Sequence, residues 1–213
     1  MKTTTEQLIQ EALLRNQMEY FADEIRTAVE ESLARIKAGG KVVVCGNGGS
    51  AADSGHIVGE LLKGFCLPRK LSDKDQAKFQ SLGKDGELLA KKLQYGIPAV
   101  ALTGSEAIAT AVMNDNGAEM VFAQQAFGLL TDKDIFIGIS TSGNAENVSL
   151  AMQVAKTVGA FSIALCGKTG GRLKELADVA FVVRENETYK IQEKHLPLYH
   201  LYCLTLENEL FGE

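Results

Sequence analysis

His56 and Glu60 stand four residues apart, which on a helix of 3.6 residues per turn puts them on one face. An imidazole beside a carboxylate can move protons or help hold a metal ion. Just upstream run Gly46, Asn47, Gly48, Gly49 and Ser50, a polar turn that follows the apolar residues Val42, Val43 and Val44. A strand that ends in a glycine-rich turn and feeds a helix opening at or just after Ser50 gathers unpaired backbone N–H groups at the positive helix end. That spot suits an anion. A second turn of the same kind, Ser140, Thr141, Ser142, Gly143 and Asn144, offers three hydroxyls and another helix start, and could hold a phosphate without any lysine. Alone it reads as a helix capped by Ser142 or Asn144. Two such turns at one sheet edge favour the anion site.

The remaining histidines, His195 and His200, lie with Gln192 in an apolar stretch from about Thr188 to Phe211. Gln192 and His195 share a helical face, and His200 is about 12 Å further along than Gln192, with Pro197 as a bend between. A lone histidine on an apolar helix is more often a hydrogen-bonded core residue than a ligand.

The elements that must position these groups follow from periodicity. Short apolar runs at Ala99 to Leu102, Ile135 to Ser140, Phe161 to Cys166 and Val179 to Val183 join the Val42 run as candidate strands buried on both faces. Helical stretches alternate with them, including Glu119 to Leu130, Ala145 to Val158 and Leu173 to Leu176. This predicts an α/β three-layer sandwich around a doubly wound, five-stranded parallel sheet, with sites at the carboxyl ends of the strands. Leu8, Ala12, Met18, Phe21, Ile25, Val29, Leu33 and Ile36 predict one long N-terminal helix ended by Gly39 and Gly40. At roughly 50 Å it exceeds what a small sheet covers, so an oligomerisation role for residues 1–38 is expected. Residues 65–96 are lysine-rich, with a helix expected from Ser72 to about Leu93 that Gly83 and Gly86 can break; it reads as a solvated excursion, a lid or an interface element.

The 213 residues, 46% apolar and 23% charged, are expected to form a single domain. A net charge of −5 argues against nucleic acid as a main partner. No run of about 18 apolar residues occurs and the polar start lacks a signal-peptide core, so a cytoplasmic protein without membrane contact is expected. Cys45, Cys66, Cys166 and Cys203 form no Cys-x-x-Cys pair and read as structural. Gly46, Gly48 and Ala51 only partly match a dinucleotide fingerprint: the next strand comes too late, and no acid follows at the right spacing. No phosphate-binding loop with lysine is present, which argues against a nucleoside triphosphatase.

Taken together, CGNGGSA at 45–51, HIVGE at 56–60, GISTSGN at 138–144 and KIQEKH at 190–195 followed by His200 resemble the sugar isomerase (SIS) domain. More narrowly they resemble phosphoheptose isomerases, which convert sedoheptulose 7-phosphate to glycero-manno-heptose 7-phosphate. The resemblance implies a flavodoxin-like sheet and a homotetramer with shared sites. It implies zinc held by His56, Glu60, Gln192 and His200. Substrate contacts would come from Asn47, Gly48, Gly49, Ser50, Glu60, Asn114, Asp115, Ser140, Thr141, Ser142 and Gln192. Ala145 stands where the family commonly has serine, Tyr189 and Lys190 where it often has a small or acidic residue and an arginine, and the 65–96 segment is long for the family; the sugar is left open by these departures. On this reading Glu60 abstracts the C2-side proton and His200 returns or shuttles a proton. Other readings are a non-catalytic SIS scaffold, a sugar-phosphate sensor, or an isomerase of another phosphosugar. A scaffold relative lacks counterparts of Glu60 and His200, which this chain keeps.

Overall fold

The five apolar runs form five parallel strands in a computed structural model that describes residues 1–212. In chain order the elements are α1 (Thr3–Asn16), α2 (Ala22–Lys37), β1 (Val42–Gly46), α3 (Gly49–Leu62), α4 (Asp73–Ala77), α5 (Gly83–Lys92), β2 (Ala99–Ala101), α6 (Glu106–Asp115) and α7 (Val121–Leu129). Then follow β3 (Ile135–Ser140), α8 (Glu146–Thr157), β4 (Phe161–Cys166), α9 (Gly171–Leu176), β5 (Val179–Val182) and α10 (Thr188–Phe211). The sheet order β2-β1-β3-β4-β5 is the flavodoxin-like one, whose switch point lies between β1 and β3. Both glycine-rich turns leave these two neighbouring strands, so the topology itself brings them together.

Strand side chains alternate between two cores. Val42, Val44, Ile135, Ile137 and Ile139 face α1, α2, α3 and α10. Val43, Cys45, Phe136, Ala164 and Cys166 face α6 to α9. Every residue of β1, β3 and β4 is buried, which is why these strands read as unbroken apolar runs. Gly138 lets α8 lie close on the sheet, since a Cβ there would stand 2.9 Å from Met152 Cε and 3.0 Å from Val148 Cγ1. Among the described residues no helix is long and apolar enough to cross a membrane.

The N-terminal region is not one helix. It breaks after Asn16, where Gln17 takes the left-handed conformation at φ 56° and Glu19–Phe21 form a 3-10 turn. Met18 and Phe21, which carried the helical repeat across this point, instead plug the chain's own core, at 1% and 3% exposure. Ile9, Leu13, Ile25 and Val29 are buried in that same core, so the length argument for a partner subunit falls. The 72–93 stretch also divides, into α4, a 3-10 turn at Gln80–Leu82, and α5. Ser72 caps α4 by accepting from Asp75 N–H, and the chain restarts at Gly83 with φ +60°. Gly86 lies inside α5 rather than breaking it, pressed against the Phe79 carbonyl. The helix α6 carries no expectation from the sequence.

Candidate active site

Between the two turns lies an open pocket of about 390 Å³. Asn47 to Ser50 form one wall, Ser140 to Ser142 with Ala145 another, and Thr188 and Gln192 of α10 the third. Gly48 can make its turn because its φ of +56° carries no side-chain penalty. Gly143 is doubly required: φ is +70°, and a Cβ would stand 1.8 Å from the Gly170 carbonyl. The N-terminal end of α3 opens on this pocket at Gly49 and Ser50, with the Ser50 and Ala51 N–H groups donating to the Asn47 and Gly48 carbonyls; the positive helix end favours an anion there, and no lysine or arginine lines the pocket.

Neither Ser142 nor Asn144 caps α8 with its side chain. The N-cap is Ala145; Ser142 Oγ accepts from Asn144 N–H at 3.2 Å and Ser140 Oγ from Ala145 N–H at 3.4 Å. Asn147, which the sequence does not single out, joins the turns. Its amide pairs reciprocally with that of Asn47, at 2.9 and 3.0 Å, and its Oδ1 also accepts from Val148 N–H. Its place one turn after the Ser-Thr-Ser-Gly run was the available signal.

A second centre lies further along α3. His56 Nε2 is 3.1 Å from Glu60 Oε1 and His56 Nδ1 is 3.0 Å from the Tyr199 hydroxyl. Glu60 Oε2 accepts from Lys63 at 3.2 Å. The His200 ring meets His56 edge-on at 5.0 Å between centroids and packs against Phe65 at 5.3 Å and Tyr199 at 5.1 Å. Burial, and after it the neighbouring His56, push the His200 imidazole below its ordinary value, with Glu60 opposing. The three residues thus share one centre.

Other candidates go elsewhere. Gln192 rests on Gly49: its Nε2 is 2.3 Å from where a Gly49 Cβ would stand. Its side chain therefore lines the pocket in this protomer. Asn114 and Asp115 end α6, exposed and bonded to each other at 2.8 Å, and do not line this pocket. His195 is a core residue at 0% exposure whose Nε2–H donates to the Cys166 carbonyl at 3.1 Å; burial pushes its pKa down to about 4.

The donor chemistry of this centre bears on zinc. Two imidazoles and a carboxylate are a zinc donor set, and His200 Nε2 is buried with no hydrogen-bond partner, so His56, Glu60 and His200 fit in kind. Both nitrogens of His56 are engaged, and among the described residues no three His, Cys, Asp or Glu groups converge as they stand closely enough to hold an ion. Gln192 does not fit in this protomer.

The centre is anchored from behind. Glu207, at 1% exposure, accepts from the N–H groups of Phe65, Cys66 and Leu67 at 2.8, 2.8 and 3.0 Å and from Arg69 Nε at 2.8 Å. Arg69 in turn donates to the carbonyls of Leu61 and Glu60 at 2.6 and 3.2 Å. The strap after α3 is thereby held so that Phe65 covers His200.

Family profiles described as SIS domain match residues 9–95 and 94–206. Phosphoheptose isomerase from Clostridium acetobutylicum is 36% identical over 193 residues, covering 91% of this chain and 86% of that one. The enzyme of the same name from Akkermansia muciniphila is 37% identical, covering 93% and 97%. The solved structure of phosphoheptose isomerase from Neisseria gonorrhoeae superposes with a TM-score of 0.73 at 30% identity, covering 94% and 93%, and that from Francisella tularensis with 0.74 at 29%, covering 93% and 94%. With its sheet order, its paired glycine turns and these relatives, the chain belongs to the SIS domain family, in its phosphoheptose isomerase branch.

Proposed function

We propose that this protein is an aldose–ketose isomerase that converts sedoheptulose 7-phosphate to D-glycero-D-manno-heptose 7-phosphate. The observation that carries the reading is the spacing of two unlike centres on α3. The anion pocket at Gly49 and the His56–Glu60–His200 centre are seven residues apart, about 10 Å along the helix. That is the kind of reach an open-chain sugar phosphate has between its phosphate and its carbonyl end.

The phosphate sits on the N–H groups of the first turn and the hydroxyls of Ser140, Thr141 and Ser142, which fixes the chain in register. In the ketose-to-aldose direction a base takes a proton from C1, the C1=C2 bond of an enediol forms, and the C2 oxygen gains a proton. Collapse of the enediol removes the proton of the C1 hydroxyl and returns one to C2, leaving the carbonyl at C1, so no atom is gained or lost. Glu60 carries the proton between the carbons. His200, whose pKa burial lowers from its ordinary value, serves the oxygens. His56, Glu60 and His200 are the residues that would hold a zinc ion, which would supply polarisation of the carbonyl and hydroxyl oxygens. Association into a tetramer in the cytoplasm belongs to the same reading, and would let Asn114, Asp115 and Gln192 of one copy serve the site of another. The retained Glu60 and His200 weigh against a scaffold.

The test is a coupled assay with NMR mass balance on the purified protein, with and without added zinc, against sedoheptulose 7-phosphate and a panel of other ketose and aldose phosphates. Turnover of the heptulose is the expected result. Binding of sugar phosphates without turnover of any of them would overturn the reading in favour of a sensor.

A further inference from the structure

Asp53 and His56 are three residues apart and project from one face of α3. The hydroxyl of Tyr199, arriving from α10, lies between them, 3.2 Å from Asp53 Oδ1 and 3.0 Å from His56 Nδ1. Tyr199 is buried at 2% exposure, and its ring meets His56 at 5.5 Å and His200 at 5.1 Å between centroids.

The hydrogen-bond inventory of these three groups has one consistent solution with Asp53 ionised. A phenol carries one proton and a carboxylate only accepts, so Tyr199 donates to Asp53. The phenol oxygen is then left as an acceptor toward His56, and only Nδ1–H can donate to it. We propose that the Asp53–Tyr199 pair is a positioning device that fixes His56 as its Nδ1–H form, so that the lone pair of Nε2 is what faces Glu60 and the substrate.

Two observations support a functional rather than a structural reason for the pair. Asp53 Oδ2 is buried without a partner, and burial raises the Asp53 carboxyl above its ordinary range of protonation, the Tyr199 bond only partly opposing it. A half-satisfied buried carboxylate costs stability, so an apolar neighbour would serve the fold better. The second is the 3.1 Å contact of Nε2 with Glu60 Oε1. With Nδ1 carrying the hydrogen, these are two acceptors face to face, an arrangement suited to an electropositive partner between them, such as a sugar hydroxyl or a metal ion. Tying the far nitrogen of an imidazole to a carboxylate is how proteins orient such a ring and raise its basicity; here a phenol relays the tie.

The test reads the ring directly. In full-length protein labelled with nitrogen-15 histidine, the His56 signals, identified by their loss in His56→Gln, report which nitrogen carries hydrogen. The Nδ1–H form is expected in the wild-type protein. In Tyr199→Phe the Nε2–H form should appear, because Glu60 becomes the available acceptor, and in Asp53→Leu the same shift is expected, since the Tyr199 hydroxyl, without its carboxylate acceptor, then donates to Nδ1. In the isomerase assay Tyr199→Phe should lower kcat by about 10- to 100-fold at nearly unchanged KM and thermal midpoint. The double variant with Asp53→Leu should be no worse than the poorer single one, since both act through one chain of bonds. A wild-type His56 that is Nε2–H or doubly protonated, a ring form unmoved by both substitutions, or losses that multiply would overturn the proposal. If Tyr199→Phe fails to fold, Asp53→Leu carries the same reading. Only the kinetic arm rests on the proposed isomerase function; the ring form is read whether or not any sugar turns over.

Discussion

Glu60 is singled out among the polar side chains of the site by its two oxygens, one toward His56 and one toward Lys63. A group that shuttles a carbon-bound proton must ionise, so Glu60→Gln keeps the shape and removes the base. Isomerase turnover should fall by about 10²- to 10⁴-fold, while calorimetric binding of the sugar phosphate stays within a few-fold of wild type. A fully active variant would refute the assignment. Asn147 makes a contrasting case. It touches the first turn and not the His56 centre, so Asn147→Ala should raise KM by roughly tenfold, the loss of about one good hydrogen bond, with kcat little changed in steady-state kinetics.

At the scale of elements, the strap from Phe65 to Arg69 shows how a buried ion pair shapes a site. Glu207 and Arg69 are 0–1% exposed side chains that close the end of α3, the strap and the end of α10 on one another, and the Arg69 guanidinium lies 4.9 Å from the Phe211 ring. Removing one partner leaves a buried charge unpaired. Glu207→Ala is expected to cost about 3–5 kcal/mol, read as a drop in the urea midpoint, together with loss of the Phe65 cover over His200. The second glycine turn is equally intolerant. Gly143→Ala would force a Cβ into the Gly170 carbonyl at a positive φ, so a strain of at least about 1–3 kcal/mol and weakened phosphate binding should appear together in melting and binding measurements.

For the molecule as a whole, His195 sets a dependence of stability on pH. Its folded pKa of about 4 lies below the ordinary 6.5, so between these values the unfolded chain binds a proton that the folded chain refuses. Stability is therefore fully present above about 6.5 and declines as pH falls toward 4, by about 3 kcal/mol. Glu207 adds to the loss lower down. Burial alone would raise it, but the N–H groups of the strap and Arg69 outweigh burial and hold it below its ordinary 4.5, so its contribution disappears as pH drops below that value. Urea midpoints at pH 7 and pH 5 should differ, and His195→Gln should flatten that difference; equal midpoints in the wild type would contradict the assignment.

The sequence by itself determined the five strands and the two glycine turns, because strands buried on both faces must be unbroken apolar runs and turns with positive φ favour glycine. It also put His56 and Glu60 on one face, a relation set by a single helix. The tertiary structure decided the rest. An amphipathic repeat is blind to one left-handed residue at Gln17, so the N-terminal helix divided where Met18 and Phe21 found the chain's own core. Nothing local tells that Gln192 settles on Gly49 while His200 meets His56 about two turns beyond it, or that Tyr199 enters between Asp53 and His56. Those contacts join residues more than 140 positions apart, and such distances are closed only when the sheet brings α3 and α10 side by side.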